Sequence, residues 1–136
     1  MLVLKLVAGS GGITSTGILK GATLEIVSGG GVSLSASNEI NTLASNIAGS
    51  GFTFAASSNF GVGVVGGTTG VTVSSGDVVL SASGLNKVLT ISNAVQATNG
   101  NVRYVADNIA LNASTTSSSA AGKYVEIKPY TAATSI

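Results

Sequence analysis

Hydrophobic and polar positions alternate along this chain in short apolar–x–apolar triplets. The triplets fall into two series, and within each series they recur with a step of about 19 residues. The first series runs Val32/Leu34, Phe52/Phe54, Val71/Val73, Leu89/Ile91, Ile109/Leu111. The second runs Leu4/Leu6, Leu24/Ile26, Leu43, Val62/Val64, Val78/Leu80, Val102/Tyr104, Val125/Ile127. Alternation with a period of two indicates β-strands, and a fixed step indicates one small repeated unit.

Glycine and asparagine occupy most of the gaps between these strands, where sharp corners need residues that enter the left-handed backbone region easily. Steady spacing and an aliphatic core with only 4% aromatic residues favour a stacked solenoid over a sandwich. We therefore predict an all-β fold, a parallel β-helix (β-solenoid) of about six to seven turns, each about 4.8 Å above the last. Residues 1–136 form a single segment, and we expect it to be part of a longer rod.

The predicted stacking places the middle residues of the first series on one outer face. These residues form a hydroxyl ladder of Thr14, Ser33, Thr53, Thr72 and Thr90, followed by Ala110. Ice-binding solenoids usually present two parallel threonine columns, whereas this chain has one, and threonine also favours strands for its own sake. A solvated β-face is the simpler interpretation.

Opposite charges meet in the second series when the turns are stacked. Lys5 falls one step from Glu25, and Arg103 falls one step from Glu126. Opposite charges on neighbouring strands support each other by a few tenths of a kcal/mol. We expect two stacked ion pairs, which a one-residue slip of register would destroy.

Residues 112–122 (NASTTSSSAAG) interrupt the repeat because they contain no large apolar residue. We predict an irregular loop or a widened corner there, with Ser114, Thr115, Thr116 and Ser117 as a possible contact loop. Tyr130, which follows the single proline, is the best candidate for an exposed aromatic contact, although partial burial at a corner is the simpler alternative.

The composition argues against several function classes. Charged residues make up 8% of the chain, the net charge is +1, and the six basic residues are dispersed, so we expect no nucleic-acid partner and no membrane insertion. Without His or Cys, the common transition-metal ligands and the usual bases for nucleophilic catalysis are missing. The five acidic residues do not fall one step apart in the same column, and the GVGVVG run at 61–66 fits a glycine-rich corner better than a dinucleotide site. We predict that the protein is not an enzyme and uses no cofactor.

Three segments carry a resemblance to a known family: VVGGTTGVTVSSGDVVLSAS (64–83), LTISNAVQATNGNVRYVADNIALNAS (89–114) and KYVEIKPYTAATSI (123–136). With their Gly/Asn corners and V-x-L or I-x-L triplets, they resemble the repeat region of filamentous-haemagglutinin-like exoproteins, the adhesins of two-partner secretion. The resemblance implies a right-handed parallel β-helix, secreted or displayed on a bacterial cell surface. It also implies a role in adhesion or biofilm.

Together, these expectations predict that the protein is a non-enzymatic structural and adhesive shaft. Its partners would be a host-cell or matrix surface, a glycan, or neighbouring solenoid segments. The alternative is a subunit of a self-assembling extracellular filament or sheath, associating end to end. A third and weaker possibility is an enzyme domain on the same fold, which would need a pocket that gathers several acids.

Overall fold

The computed structural model describes residues 3–132, which form a β-solenoid of about 6 turns roughly 20 residues apart. No helix occurs within these residues. The strands are β1 (Val3–Ala8), β2 (Ile13–Ser15), β3 (Lys20–Ser28), β4 (Val32–Ala56), β5 (Phe60–Val62), β6 (Val64–Val65), β7 (Thr68–Thr69), β8 (Val71–Ala82), β9 (Val88–Ile91), β10 (Val95–Ala97), β11 (Val102–Val105), β12 (Asn108–Leu111), β13 (Thr115–Thr116) and β14 (Val125–Lys128). All of them pair in parallel except β6 and β7.

Two walls of stacked strands carry most of the solenoid. The first wall contains one inward column that crosses all the turns. Its residues are Leu4, Leu24, Leu43, Val62, Ile91 and Leu111. The second wall contains β2, residues 32–34 and 52–54 of β4, the end of β8, β11 and β14. Because β4 passes through more than a full turn, it contributes to the second wall twice.

The core lies between the walls and is almost entirely aliphatic. The phenylalanines gather in one place, where the Phe54 and Phe60 rings meet edge to face at 5.1 Å and Phe52 lies 6.4 Å from Phe54. Tyr104 reaches across the interior from the second wall, and its hydroxyl lies 2.6 Å from Thr115 Oγ1. Burial raises the pKa of Tyr104 to about 12, so the phenol stays neutral and serves as a hydrogen-bonding core residue.

The predicted solenoid is confirmed, but both predicted series are wrong in their later turns, the first beyond Phe52/Phe54 and the second beyond Val62. Val71 stacks between Ser45 and Val95 on the first wall, whereas Leu89 stacks between Phe60 and Ile109. The pair Phe52/Phe54 is followed instead by Val78/Leu80. Val71 and Leu89 therefore belong to different columns, and the repeat step is uneven.

The cause of the uneven step is a β-hairpin inserted into the first wall. Strands β6 and β7 pair antiparallel around Gly66 and Gly67, and Gly66 has φ 58°, which the tight two-residue turn requires. Gly70 N donates to Gly63 O at 2.8 Å, so the chain returns to the place where it left the wall. The GVGVVG run at 61–66 thus belongs to the end of β5 and to the hairpin, and it does not form a corner of the solenoid.

Candidate functional site

The outer row of the second wall carries the hydroxyl groups. Thr14 pairs with Ser33, and Thr53 of the next turn pairs with Val79. Beyond Val79 the row continues through the two charged residues Arg103 and Glu126. The row is therefore hydroxyl-bearing in its first half and charged in its second half.

Thr72 and Thr90 do not belong to this row, and the prediction that they continue the ladder is wrong. Thr72 lies on the first wall between Asn46 and Gln96, and Thr90 lies between Gly61 and Ala110. The inserted hairpin moves both triplets out of the column, so three hydroxyl residues of the predicted ladder remain stacked.

An open groove of about 480 Å³ runs along the three stacked hydroxyl residues. Thr14, Ser33 and Thr53 line it together with Asp77 and with two glycines of the neighbouring corner, Gly31 and Gly51. The corner is packed too closely for side chains: a Cβ on Gly31 would lie 2.8 Å from the carbonyl oxygen of Ser50. Because Gly31 and Gly51 carry no side chains, a recess is left beside the hydroxyl row.

A smaller pocket of about 60 Å³ adjoins the groove. Asp77 and Val79 line both cavities, and Val78, Asn101, Arg103 and Tyr124 complete the smaller one. Hydrogen bonds from backbone amides to side-chain oxygens hold this edge: Asn101 N donates to Asp77 Oδ1 at 2.9 Å, and Tyr124 N donates to Asn101 Oδ1 at 3.0 Å. The two cavities form one continuous surface along the rod.

The structure brings the predicted ion-pair residues together. Arg103 Nε approaches Glu126 Oε1 to 2.6 Å, without the alignment of a hydrogen bond. The Tyr124 side chain, and after it Glu126, raise the pKa of Arg103. Both members of this pair are partly exposed, so we count it as positioning the Arg103 guanidinium rather than as a large contribution to stability.

The other predicted pair lies on the first wall, where Lys5 Nζ is 3.3 Å from Glu25 Oε2. Glu25 is buried, because the hairpin folds over it and Thr68 Oγ1 donates to Glu25 Oε1 at 2.8 Å. That hydrogen bond lowers the pKa of Glu25, in opposition to burial, and Lys5 lowers it further. The sequence signal for the hairpin is Val-Val-Gly-Gly-Thr-Thr at 64–69, two short strands around a Gly-Gly turn.

Part of the predicted contact loop belongs to the first wall. Thr115 and Thr116 form β13 and pair with Val95 and Gln96, and Thr115 points toward Tyr104 in the interior. Ser114 is exposed, and Ser117 is half-buried just before the corner. Tyr130 is 49% exposed, so of these candidates it presents the largest apolar surface.

The acidic residues of the described range are held apart by their own partners. Asp107 is buried and accepts hydrogen bonds from Asn86 N and from Thr131. Glu39 lies 3.6 Å from Lys20, while Glu25, Asp77 and Glu126 have the contacts given above. No group of three potential metal-ligating side chains occurs among residues 3–132.

Comparisons with protein-family models, with curated proteins and with solved structures found no match for this chain. Within residues 3–132, no helix is long and apolar enough to cross a membrane.

Proposed function

We propose that this protein is a rigid, non-enzymatic shaft segment of a secreted or surface-displayed bacterial exoprotein, with an adhesive outer face. The observation that carries the proposal is the inward column that continues without a break through all the turns from Leu4 to Leu111. Backbone pairing and aliphatic burial then act along the whole length, which gives a stiff rod.

The distribution of polar groups supports a display role better than catalysis. The acids of the described range are taken up by separate structural contacts, and the groove beside Asp77 is open rather than an enclosed pocket. Enclosed sites with convergent polar groups are typical of small-molecule chemistry. An exposed, repetitive face suits contact with an extended surface.

Antibodies raised against the purified chain test the surface assignment. We expect them to label intact, non-permeabilised cells of the source organism or their culture medium, and beads coated with the folded chain to adhere to a cell or matrix surface. Labelling that requires permeabilisation would contradict the proposal. Beads coated with heat-unfolded chain are the control for nonspecific stickiness.

End-to-end assembly with a second copy is the second candidate, and the last described turn favours it. Leu111, Val125 and Ile127 continue inward columns, yet they are 49%, 41% and 39% exposed. Leu4 and Leu6 of the first turn are only partly buried. Joining these two ends would extend the columns and cover both edges in a head-to-tail, non-closing contact.

Sedimentation velocity and electron microscopy test this assembly. We expect concentration-dependent rods with an axial repeat of about 4.8 Å, and loss of assembly in Ile127→Glu. Leu85→Glu is the matched control, because Leu85 is 65% exposed but lies at a corner away from both ends. A chain that stays monomeric at high concentration, or an Ile127→Glu variant that assembles as before, rules the candidate out.

A further inference from the structure

The groove and the adjoining pocket on the second wall form a surface with two kinds of contact group. Thr14, Ser33 and Thr53 repeat hydroxyl groups at the spacing of successive turns, about 4.8 Å. Asp77 adds a carboxylate at the point shared by the two cavities. Tyr124, 44% exposed, supplies an aromatic side chain with an apolar body and a polar tip.

We propose that this surface binds a neutral, linear oligosaccharide that lies along the rod axis. The inference rests on the proposed adhesive function, for which it names the ligand class. A chain of sugar rings repeats hydroxyl donors and acceptors along its length, and its C–H faces pack against apolar groups. The stacked hydroxyl residues match the first property, and Val79 and Tyr124 match the second.

The charges decide in favour of a neutral glycan. No lysine lines either cavity, and the one arginine, Arg103, is paired with Glu126 at 2.6 Å. A sulfated or uronate chain needs unpaired Lys or Arg side chains for charge-assisted hydrogen bonds, and here it would meet the carboxylate of Asp77 instead. A neutral chain carries no such penalty, and Asp77 can accept hydrogen bonds from its hydroxyl groups.

The shape decides in favour of a polymer. The groove is open along the axis and shallow, so it leaves most of a small molecule in water, whereas tight small-molecule sites bury most of the ligand. A longer oligosaccharide contacts several turns at once, and each contact adds to its binding affinity. The affinity is thus expected to rise with the number of sugar units.

Titration of the isotope-labelled protein with neutral hexasaccharides, cellohexaose and the N-acetylglucosamine hexamer, tests the proposal by NMR. With at least one of them we expect amide shifts at Thr14, Ser33 and Thr53, and weaker binding of the corresponding disaccharide. Ser33→Trp fills the groove and should weaken binding about tenfold or more, a loss of about 1.4 kcal/mol. Tyr124→Ala, an exposed change at the other end, should also weaken it.

Thr72→Trp is the matched control, because Thr72 is also a half-buried strand residue but lies on the first wall. The Thr72→Trp variant should bind the hexasaccharide with the same affinity as the parent chain. The proposal is overturned if neither hexasaccharide shifts the groove amides, if Tyr124→Ala and a folded Ser33→Trp both bind like the parent, or if only a heparin hexasaccharide binds. Surface labelling without hexasaccharide binding would leave the shaft assignment intact and show the ligand class to be wrong.

Discussion

Asn38 shows how single polar residues hold the corners of this solenoid. Its side chain is fully buried and spans three turns: Oδ1 accepts from Leu19 N at 2.8 Å, and Nδ2 donates to Leu34 O and Ala55 O at 3.0 and 2.9 Å. An amide is suited to this place because it offers both an acceptor and two donors. Nothing in the alternating pattern distinguishes Asn38 from the other corner asparagines, so its role was missed at the sequence level.

Replacing Asn38 with alanine leaves three backbone groups without their partners. We expect Asn38→Ala to lower the free energy of unfolding by about 3 kcal/mol, measured by chemical denaturation. Asn46→Ala is the control, because Asn46 is exposed on a strand, and it should change stability by less than about 0.5 kcal/mol. Equal effects of the two substitutions would contradict the bridging role.

Two buried carboxylates predict how stability depends on pH. Hydrogen bonds from Thr131 hold the pKa of Asp107 below its ordinary value of 3.8, against burial, and Asn86 N contributes further. The Thr68 hydroxyl likewise lowers the pKa of Glu25 from 4.5. Because both values are lower in the folded state, their stabilisation is present above the ordinary pKa values and is lost as the pH falls through them.

We therefore expect stability to be level at neutral pH and to fall below about pH 4.5. Asp107→Asn should be less stable at pH 7, since the NH₂ group that replaces one carboxylate oxygen cannot accept the hydrogen bonds which that oxygen receives. Its acid-dependent decline should also be shallower. Thermal melts across the acid range measure both effects. A variant with the same slope as the parent would show that Asp107 does not contribute to it.

At the scale of the element, the corner glycines are required by close approach of backbones. A Cβ on Gly100 would lie 1.8 Å from the carbonyl oxygen of Gly76, whereas a Cβ on Gly11 would meet nothing within 4 Å. We expect Gly100→Ala to cost about 2–4 kcal/mol and Gly11→Ala less than about 0.5 kcal/mol in denaturant unfolding. If Gly100→Ala left the free energy of unfolding unchanged, the backbones of adjacent corners would have to lie farther apart than in this structure.

The inserted hairpin marks the limit of what the sequence could predict. Alternation, the recurring step and the Gly/Asn gaps were sufficient for strands, parallel stacking and a solenoid. They were insufficient for register, because triplets such as VTV at 71–73 and VVL at 78–80 are chemically interchangeable as inward strands. Only the Gly-Gly turn at 66–67 signals the insertion that decides between them, and the same shift decided which threonines border the groove.

For the whole molecule, burial predicts a gradient of local stability along the rod. Inward residues of the middle turns, such as Leu43, Phe54 and Leu80, are fully buried, while those of the last described turn are partly exposed. Each turn contacts only its neighbours, so opening begins at the ends. We expect hydrogen exchange to be slowest in β4 and β8 and fastest in β1, β13 and β14. Uniform exchange across all turns would contradict a stacked repeat.

The groove and its hydroxyl row depend on the order of strands on the second wall, which can be measured directly. Interstrand amide–α-proton NOEs in solution would report which residues are neighbours. The described register predicts contacts from Thr53 to Val79 and from Val79 to Arg103. Contacts from Thr53 to Thr72, as even repeat spacing would require, would contradict it.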